Sequence, residues 1–376
     1  MAIEDFRALL GIDPSRVHLN NAGLAPMTRP AQHAIEAMSA LMVTDAFHAV
    51  ERMIDLYETA RASFGALVGV PADHVAMTQT CASAISQVAF GLDLRPGDEI
   101  LRWDQEYPSN AYPWHAAANR VGARVTVVPS EPDLSLSMEK LLARITPATR
   151  VITVSWVQYQ TGSMTDLPRI SRACRDRDIW LVVDGIQGLG AIPFDMTQMG
   201  VDALCGGTHK WLCGPFGHGF LALAPGRIEA LTPVLQGAIT YGTPDDAVEL
   251  TRSPRPDARR FEPGSPLLLG AVGGAASIDA LREIGIDRIH EEALRLARAL
   301  STQLRDLGCR VLGDPEKRSG SPILTFVPDE PVPVAAEKLR AASVGYGIRG
   351  GGIRLAPHAF NTDEEITRVI RALSHR

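Results

Sequence analysis

From about residue 60 the chain alternates helix-like stretches with short runs of apolar, β-branched residues. The runs are almost continuously apolar, which is typical of strands covered on both faces of a sheet. The segments between them, such as residues 167–178, have room for a crossover helix. The alternation therefore predicts an α/β fold around a mostly parallel sheet of seven strands, at 75–78, 99–103, 124–129, 151–157, 180–184, 203–205 and 219–224.

The pattern changes beyond these runs. Residues 225–270 are rich in Pro and Gly, and 251–260 are dense in Arg and Pro, which predicts irregular structure. After a helical stretch at 267–307, strands are expected at 308–311, 321–327 and 345–355, and helices at 332–342 and 362–374. We place a domain boundary near residue 270. The expected units are an N-terminal segment (1–18) that packs with the small domain, a large domain (19–270) and a smaller α+β domain (271–376).

Composition and charge limit the kinds of molecule that the protein is expected to bind. Of the 376 residues, 45% are hydrophobic and 21% are charged, which excludes a disordered or collagen-like chain. Length alone predicts two or three domains. The formal net charge is −6 with no long run of one sign, so the basic footprint of a nucleic-acid or anionic-membrane binder is missing. Small molecules are the expected partners.

Cysteine usage and hydropathy indicate the compartment. The five cysteines form no CxxC pair, and no charged segment followed by an apolar leader opens the chain. Every apolar run is interrupted by charge, Gly or Pro within about ten positions, so no membrane span is expected. These features predict a cytoplasmic protein, and no metal site is expected.

The first candidate for chemistry is a strand that ends in an acid, Asp184, followed by Gly185, Gln187 and Gly188. Ligands of α/β folds bind at the carboxyl ends of the strands. A carboxylate there can keep a pyridine nitrogen protonated, so that the ring withdraws electrons. The alternative is a helix N-cap or an ordinary loop carboxylate.

The second candidate is Lys210, in the glycine-rich segment 206–219. Only four of the 37 basic residues are Lys, at 140, 210, 317 and 338, so the choice of an amine over Arg suggests a specific need. Gly, Thr and aromatic neighbours can desolvate this amine, which lowers its pKa and allows a Schiff base. The alternative is a surface lysine in a turn. Thr208 and His209 either contact a phosphate or a cofactor ring, or cap that turn.

The third candidate is a strand that runs into a helix through small and hydroxyl residues, at 78–86. The free N–H groups and the positive dipole end of such a helix bind phosphate. Ser and Thr also open many helices simply as N-caps, so this segment gains meaning only beside the other two.

Together the three segments resemble the class V aminotransferase family, which includes cysteine desulfurases, selenocysteine lyases and isopenicillin N epimerase. The likeness extends along most of the chain, and the order of the motifs is kept. The matching segments are 19–23 (LNNAG), 80–83 (TCAS), 106–110 (EYPSN), 184–187 (DGIQ), 208–210 (THK), 260–266 (RFEPGSP) and 354–362 (RLAPHAFNT).

The resemblance implies a pyridoxal-phosphate enzyme of fold type I, and a homodimer with shared active sites. Lys210 would bind the cofactor covalently and move protons at the substrate Cα, and Asp184 would pair with the pyridine nitrogen and Gln187 with the ring oxygen. Tyr107 stands where the desulfurases have a stacking His, and can cover the ring. The phosphate and ring contacts implied are Thr80, Cys81, Ala82, Ser83, Thr208 and His209, with Ser265 from the neighbouring subunit.

For the amino-acid substrate, the resemblance implies that Arg354 binds the α-carboxylate, a bidentate role that suits a guanidinium. Asn21 and Gln158 are further substrate-binding candidates. Arg349, ahead of three glycines, offers a cation and a close backbone approach, either for a second acidic group or as a solvated residue beside a tight turn. Tyr159 and His358 are further candidates for the pocket, with a structural role as the favoured interpretation of both.

One departure from the desulfurases concerns sulfur chemistry. They carry a nucleophilic Cys on a loop shortly before the carboxylate-binding Arg, whereas no cysteine follows Cys309 here. We expect an aminotransferase rather than an enzyme that forms a cysteine persulfide. The alternatives on the same cofactor are a β-eliminating C–S lyase and an amino-acid epimerase. A non-catalytic cofactor binder is more remote, and a nucleotide binder is disfavoured because residues 185–190 read GxxGxG instead of GxGxxG.

Overall fold

The computed structural model describes residues 1–242, 251–312 and 320–374. Its centre is a seven-stranded sheet in the order β2-β8-β7-β6-β5-β3-β4. Only β8 runs antiparallel to its neighbours, β2 and β7, and the other pairs are parallel. The strands are β2 (Val75–Thr78), β3 (Glu99–Trp103), β4 (Arg124–Val128), β5 (Thr149–Ser155), β6 (Trp180–Asp184), β7 (Ala203–Gly207) and β8 (Gly219–Leu223). The predicted α/β class and mostly parallel seven-stranded sheet are confirmed.

Apolar residues cover both faces of this sheet, as the continuous runs predicted. Along β6, Leu181 and Val183 belong to one core cluster, and Trp180 and Val182 belong to another. Successive side chains of a strand point to opposite faces, so the two clusters lie on the two sides of the sheet. Because both sides are buried, the polar groups of the sheet are exposed mainly where the strands end, and binding residues collect there.

Helices fill the connections. Those of the first half are α1 (Asp5–Ala8), α2 (Arg29–Asp45), α3 (Val50–Val68), α4 (Cys81–Gly91), α5 (Tyr112–Val121), α6 (Met138–Leu142) and α7 (Leu167–Arg175). Those of the second half are α8 (Met196–Met199), α9 (Ala238–Tyr241), α10 (Leu268–Ile284), α11 (Ile286–Asp306), α12 (Val332–Ala341) and α13 (Asp363–Ser374). Three 3₁₀ turns lie at Ala72–His74, Pro108–Asn110 and Ala258–Phe261.

The helical stretch expected at 267–307 is two helices, not one. Gly285, at φ 101°, separates α10 from α11. A residue with a side chain rarely adopts this φ, so glycine stops the first helix and redirects the chain. In the irregular stretch expected at 225–270, α9 and a 3₁₀ turn interrupt the loop, and residues 243–250 lie outside the described part of the chain.

The second half builds a smaller four-stranded sheet in the order β12-β13-β10-β9. Its strands are β9 (Arg310–Val311), β10 (Leu324–Val327), β12 (Gly347–Arg349) and β13 (Gly352–Leu355). The single strand expected at 345–355 is therefore wrong: β12 and β13 form a hairpin. Gly350 and Gly351 join them with φ of 57° and 77°, and positive φ at both central residues is what a type I′ turn requires.

The beginning of the chain contacts its end. Strand β1 (Val17–His18) pairs in parallel with β11 (Val344–Gly345). Arg7 donates to Glu365 at 3.0 Å and to the carbonyl of Phe360. In the part of the chain that the structure describes, no helix is both long and apolar enough to cross a membrane.

Candidate functional site

A cavity of about 340 Å³ lies at the carboxyl ends of the central strands. Lys210 follows β7, Asp184 ends β6, Tyr107 follows β3, and α4 begins shortly after β2. Parallel strands deliver their carboxyl ends to one edge of the sheet, which explains why segments far apart in sequence meet here. Of the residues predicted for a site, ten line this cavity: Thr80, Cys81, Ala82, Tyr107, Asp184, Gln187, His209, Lys210, Arg349 and Arg354.

Asp184 is a buried carboxylate, 4% exposed, that lines the cavity. Its Oδ1 accepts hydrogen bonds from the backbone N–H of Ile186 at 3.0 Å and from Cys81 Sγ at 3.3 Å. Burial raises the pKa of Asp184, while the hydrogen bond from Ile186 and the charge of Lys210 oppose that rise. Both of these hydrogen bonds engage Oδ1, so Oδ2 can accept a hydrogen bond from a ligand in the cavity.

Lys210 brings an amine to the cavity that Asp184 also lines. Burial lowers its pKa to about 8, and the charges of Arg354 and Arg349 act in the same direction, whereas Asp184 acts against them. A free lysine titrates near 10.5, so near neutral pH Lys210 has a far larger neutral fraction than a surface lysine. The neutral form is the nucleophile that attacks a carbonyl.

Aromatic side chains form the walls. The ring of Tyr107, 40% exposed, lies 5.6 Å from Lys210 Nζ and meets the ring of Tyr159 edge to face at 5.0 Å. On another side, His209 packs against Phe216 with ring centroids 4.7 Å apart. Burial and the nearby Lys210 lower the pKa of His209 to about 4, so this imidazole is neutral at physiological pH.

A buried network fixes the segment that carries Tyr107. Glu106 accepts from the backbone N–H and the hydroxyl of Ser155, from Asn110 Nδ2 and from Gln158 Nε2, all within 2.9 Å. Ser155 ends β5, so the network ties the turn after β3 to the neighbouring strand. Burial raises the pKa of Glu106, and these donors oppose that rise. These hydrogen bonds fix the backbone next to Tyr107 and so hold its ring beside Lys210.

The start of α4 forms the anion-binding side. Thr80 is the N-cap, accepting from Ser83 N at 3.0 Å, and Ser83 Oγ accepts in return from Thr80 N at 2.9 Å. Cys81 and Ala82 line the cavity with the first turn of the helix, whose N–H groups have no partner within the helix. These groups and the positive end of the helix dipole favour a phosphate.

Arg354 brings a buried cation from the small sheet. It is 2% exposed, donating Nη1 to the carbonyl of Tyr159 at 2.8 Å and Nη2 to Asn20 Oδ1 at 3.0 Å, while Nε is buried without a partner. Burial lowers its pKa to about 10, with Arg349 as the next cause. Within residues 1–242, 251–312 and 320–374, no carboxylate forms an ion pair with Arg354 or Arg349. An anionic ligand is the natural partner of this side chain.

Five of the residues predicted for the site do not line the cavity. Asn21 is buried and donates to the carbonyl of Ala356, and Gln158 donates to Glu106. The Thr208 hydroxyl donates to backbone carbonyls, and its Oγ1 lies 2.6 Å from the carbonyl oxygen of Pro215. Ser83 is engaged in the cap of α4. Ser265 is exposed and, with Ser83, lines a second cavity of about 400 Å³.

Other residues of the cavity were missed from the sequence. Asn20, rather than Asn21, holds Arg354. Tyr159 lines the cavity, which is the less favoured of the two positions predicted for it. Ser109 and Phe216 also line it, and both stand inside segments already singled out, so proximity to Tyr107 and Lys210 was the available signal. His358 is buried and hydrogen-bonds through Nε2 to the carbonyl of Trp211, a structural position. The described residues contain no cluster of His, Cys, Asp or Glu suited to a metal ion.

Comparison with known proteins gives consistent matches. The sequence profile of the family described as Aminotransferase class-V matches residues 24–371. The chain is 27% identical to a probable cysteine desulfurase of Methanothermobacter thermautotrophicus, over 97% of this chain and 96% of that protein. It is 29% identical to isopenicillin N epimerase of Streptomyces clavuligerus, over 99% and 98%.

A solved structure supports the fold. A C-DES mutant with glycine covalently linked to its PLP cofactor superposes with a TM-score of 0.88 at 22% identity, covering 98% of this chain and 99% of that one.

Proposed function

The chain belongs to the class V aminotransferase family and is a pyridoxal-phosphate-dependent enzyme, and from this premise we propose that it is an aminotransferase acting at the Cα of a free amino acid. We propose further that it forms no cysteine persulfide. The observation that carries the proposal is the meeting of Lys210, Asp184 and Arg354 in one cavity.

The residues present fit the cofactor. Lys210 supplies an amine with a pKa of about 8 for the aldehyde, and Asp184 supplies a buried carboxylate for the pyridine nitrogen. The N-terminus of α4 suits the phosphate, and Tyr107 and His209 suit the faces of the ring. Gln187 Nε2 donates to the carbonyl of Ala22 at 3.0 Å, and its second N–H can serve the ring oxygen. Pyridoxal phosphate supplies the electron sink that makes the Cα proton of an amino acid acidic.

The side chains that line the cavity each have a distinct role in this proposal. Arg354 binds the α-carboxylate and thereby fixes which bond at Cα faces Lys210. As a free amine, Lys210 would accept the Cα proton and return it at a second carbon, which is the proton transfer that transamination requires. Tyr107 and Tyr159, which both line the cavity, would cover the substrate and restrict water there, which limits hydrolytic side reactions.

Two features argue against a cysteine persulfide. The segment before Arg354 is the tight β12–β13 turn of Gly350 and Gly351, with no thiol on it. Among the described residues, Cys81 is the one cysteine that lines the cavity. Its thiol donates to Asp184, and burial raises its pKa well above the ordinary value, so it is a poor nucleophile.

We also propose a homodimer in which Ser265 completes the site of the partner. Ser265 is exposed, and its cavity is lined as well by Thr78 and Gln79, which immediately precede the start of α4. Exposed apolar side chains on and between α2 and α3, including Val43 and Phe47 at 85% and 83%, offer surface for association. Light scattering after gel filtration tests this, and a monomer with full activity would refute it.

Product analysis tests the reaction. The holoenzyme is incubated with single L-amino acids, with and without a second 2-oxo acid, and the products are identified by mass spectrometry. We expect more than one equivalent of 2-oxo acid per active site only when an acceptor is present, without ammonia or sulfide. Pyruvate and ammonia without an acceptor would instead establish a lyase, and the D-enantiomer would establish an epimerase.

A further inference from the structure

The face of the β12–β13 hairpin that meets the cavity carries two arginines. Gly347 pairs with Arg354 and Arg349 pairs with Gly352. Paired residues of an antiparallel ladder share a face, and residues two apart on one strand share it as well. Arg349 and Arg354 are therefore diagonal neighbours on one face, with Cα atoms separated by roughly 7–8 Å.

The two arginines are paired with glycines, which leave room on this face for the guanidinium groups. A Cβ at Gly347 would lie 3.4 Å from Arg354 Nη2 and 3.3 Å from Asn20 Oδ1, so a side chain there would press on the buried arginine. A Cβ at Gly352 would lie 2.4 Å from the carbonyl oxygen of Phe326, which no side chain tolerates. The hairpin thus presents two cations and no other side chain from these four paired positions.

The charges around the cavity are unbalanced. Arg349 is exposed and donates Nη1 to its neighbour's carbonyl, that of Ile348, at 2.7 Å, and no described carboxylate pairs with it. Arg349, Arg354 and Lys210 thus face one carboxylate, Asp184. The α-carboxylate of a neutral amino acid would satisfy Arg354 and leave Arg349 without an anion. A substrate with a second acidic group would satisfy both.

We propose that the substrate is an acidic amino acid, whose α-carboxylate binds Arg354 and whose side-chain acid binds Arg349. The proposal rests on the proposed action at Cα of an amino acid and adds the class of side chain. Arg349 is then the residue that determines specificity, and the tight glycine turn holds it at the mouth of the cavity.

Binding and kinetics together test the assignment. Calorimetric titration of the holoenzyme with succinate and with butyrate, which lacks the second carboxylate, measures the recognition of the second acid without turnover. The kcat/KM ratios of aspartate to asparagine and of glutamate to glutamine measure it during turnover. Arg349→Gln should reduce succinate affinity and both ratios by roughly 10- to 100-fold, since the charge-assisted hydrogen bonds between the guanidinium and the second carboxylate are lost. Butyrate binding should not change.

A matched variant controls for general loss of positive charge. Arg340→Gln removes an exposed arginine on α12 that pairs with Glu337, and it should leave both ratios as they are. Equal affinity for succinate and butyrate in the wild type, or unchanged ratios in Arg349→Gln, would overturn the assignment while transamination of neutral amino acids kept the proposed function intact. Succinate binding that depends on Arg349, without transfer of any amino group, would instead refute the proposed function and support the acid site.

Discussion

The two sides of the cavity are built differently. Asp184 and Lys210 stand at the edge of a sheet covered on both faces, where hydrogen bonds such as those of Glu106 and Cys81 hold neighbouring segments in place. The opposite side is a short hairpin of the small sheet, with an exposed Arg349 on a two-glycine turn. In our proposal the difference separates two roles: the buried side fixes the cofactor chemistry, and the hairpin selects the substrate. Changes on one side should therefore leave the role of the other intact.

The largest effect is expected from Lys210→Ala on the buried side. Removal of the group that moves the Cα proton should lower kcat by at least roughly 10²- to 10⁴-fold. Turnover is measured with the best substrate at saturating concentration. Lys140→Ala, at an exposed lysine on α6 that pairs with Glu131, is the control and should keep full activity. Full activity in the Lys210 variant would remove the basis of the mechanism.

Arg354→Gln should separate activity from stability. Loss of the carboxylate contact is expected to cost about 2 to 5 kcal/mol in kcat/KM. The free energy of unfolding should stay constant or rise, because the guanidinium is buried without a carboxylate partner and its desolvation is unfavourable. Kinetics and urea unfolding of the same preparation give both quantities. A loss of stability parallel to the loss of activity would identify Arg354 as a structural residue.

The pH dependence of folding reports on the buried amine. Burial lowers the pKa of Lys210 from 10.5 to about 8, so between these pH values the unfolded apoprotein holds a proton that the folded one lacks. The free energy of unfolding should therefore rise with pH across this window, by up to roughly 3 kcal/mol. Lys210→Met should remove this rise and Lys140→Met should keep it. Superimposable curves for wild type and Lys210→Met would contradict the lowered pKa.

The smallest effect is expected from an alanine substitution in the hairpin turn. Gly351 has φ 77° with open space around it, and so has Gly97 at φ 89° in a distant turn. Alanine at either position should cost roughly 1–2 kcal/mol of stability, because a side chain is strained in this conformation. Only Gly351→Ala should also lower the preference for acidic over neutral substrates, measured as the ratio of kcat/KM. An equal change of preference in both variants would show that the turn does not position Arg349.

Sequence predicted the buried side better than the hairpin side, for a physical reason. The strands around Asp184 are continuous apolar runs, and that signal is local. The separation of β12 from β13 depends on two adjacent glycines with positive φ, and an apolar run that contains glycines does not by itself indicate a turn. The break at Gly285 escaped prediction in the same way, since the helical pattern continues on both sides of it.

Site residues that stand together in one contiguous motif could be predicted from the sequence. Residues that meet only through contacts far apart in sequence could not. Thr80, Cys81 and Ala82 follow from the start of one helix. Asn20 and Tyr159 reach Arg354 across 334 and 195 positions of sequence, so only the folded chain reveals them. Gln158 was placed with the substrate, whereas the structure turns its amide to the buried Glu106.

The most direct test of the central claim is to map the attachment point of the cofactor. The purified protein is loaded with pyridoxal phosphate, reduced with borohydride, digested and sequenced by mass spectrometry. The chain has only four lysines, so the assignment is unambiguous. We predict a visible absorbance that borohydride removes and a single modified peptide that contains Lys210. A protein that stays colourless with added cofactor, or a label on Lys140, Lys317 or Lys338, would contradict the account.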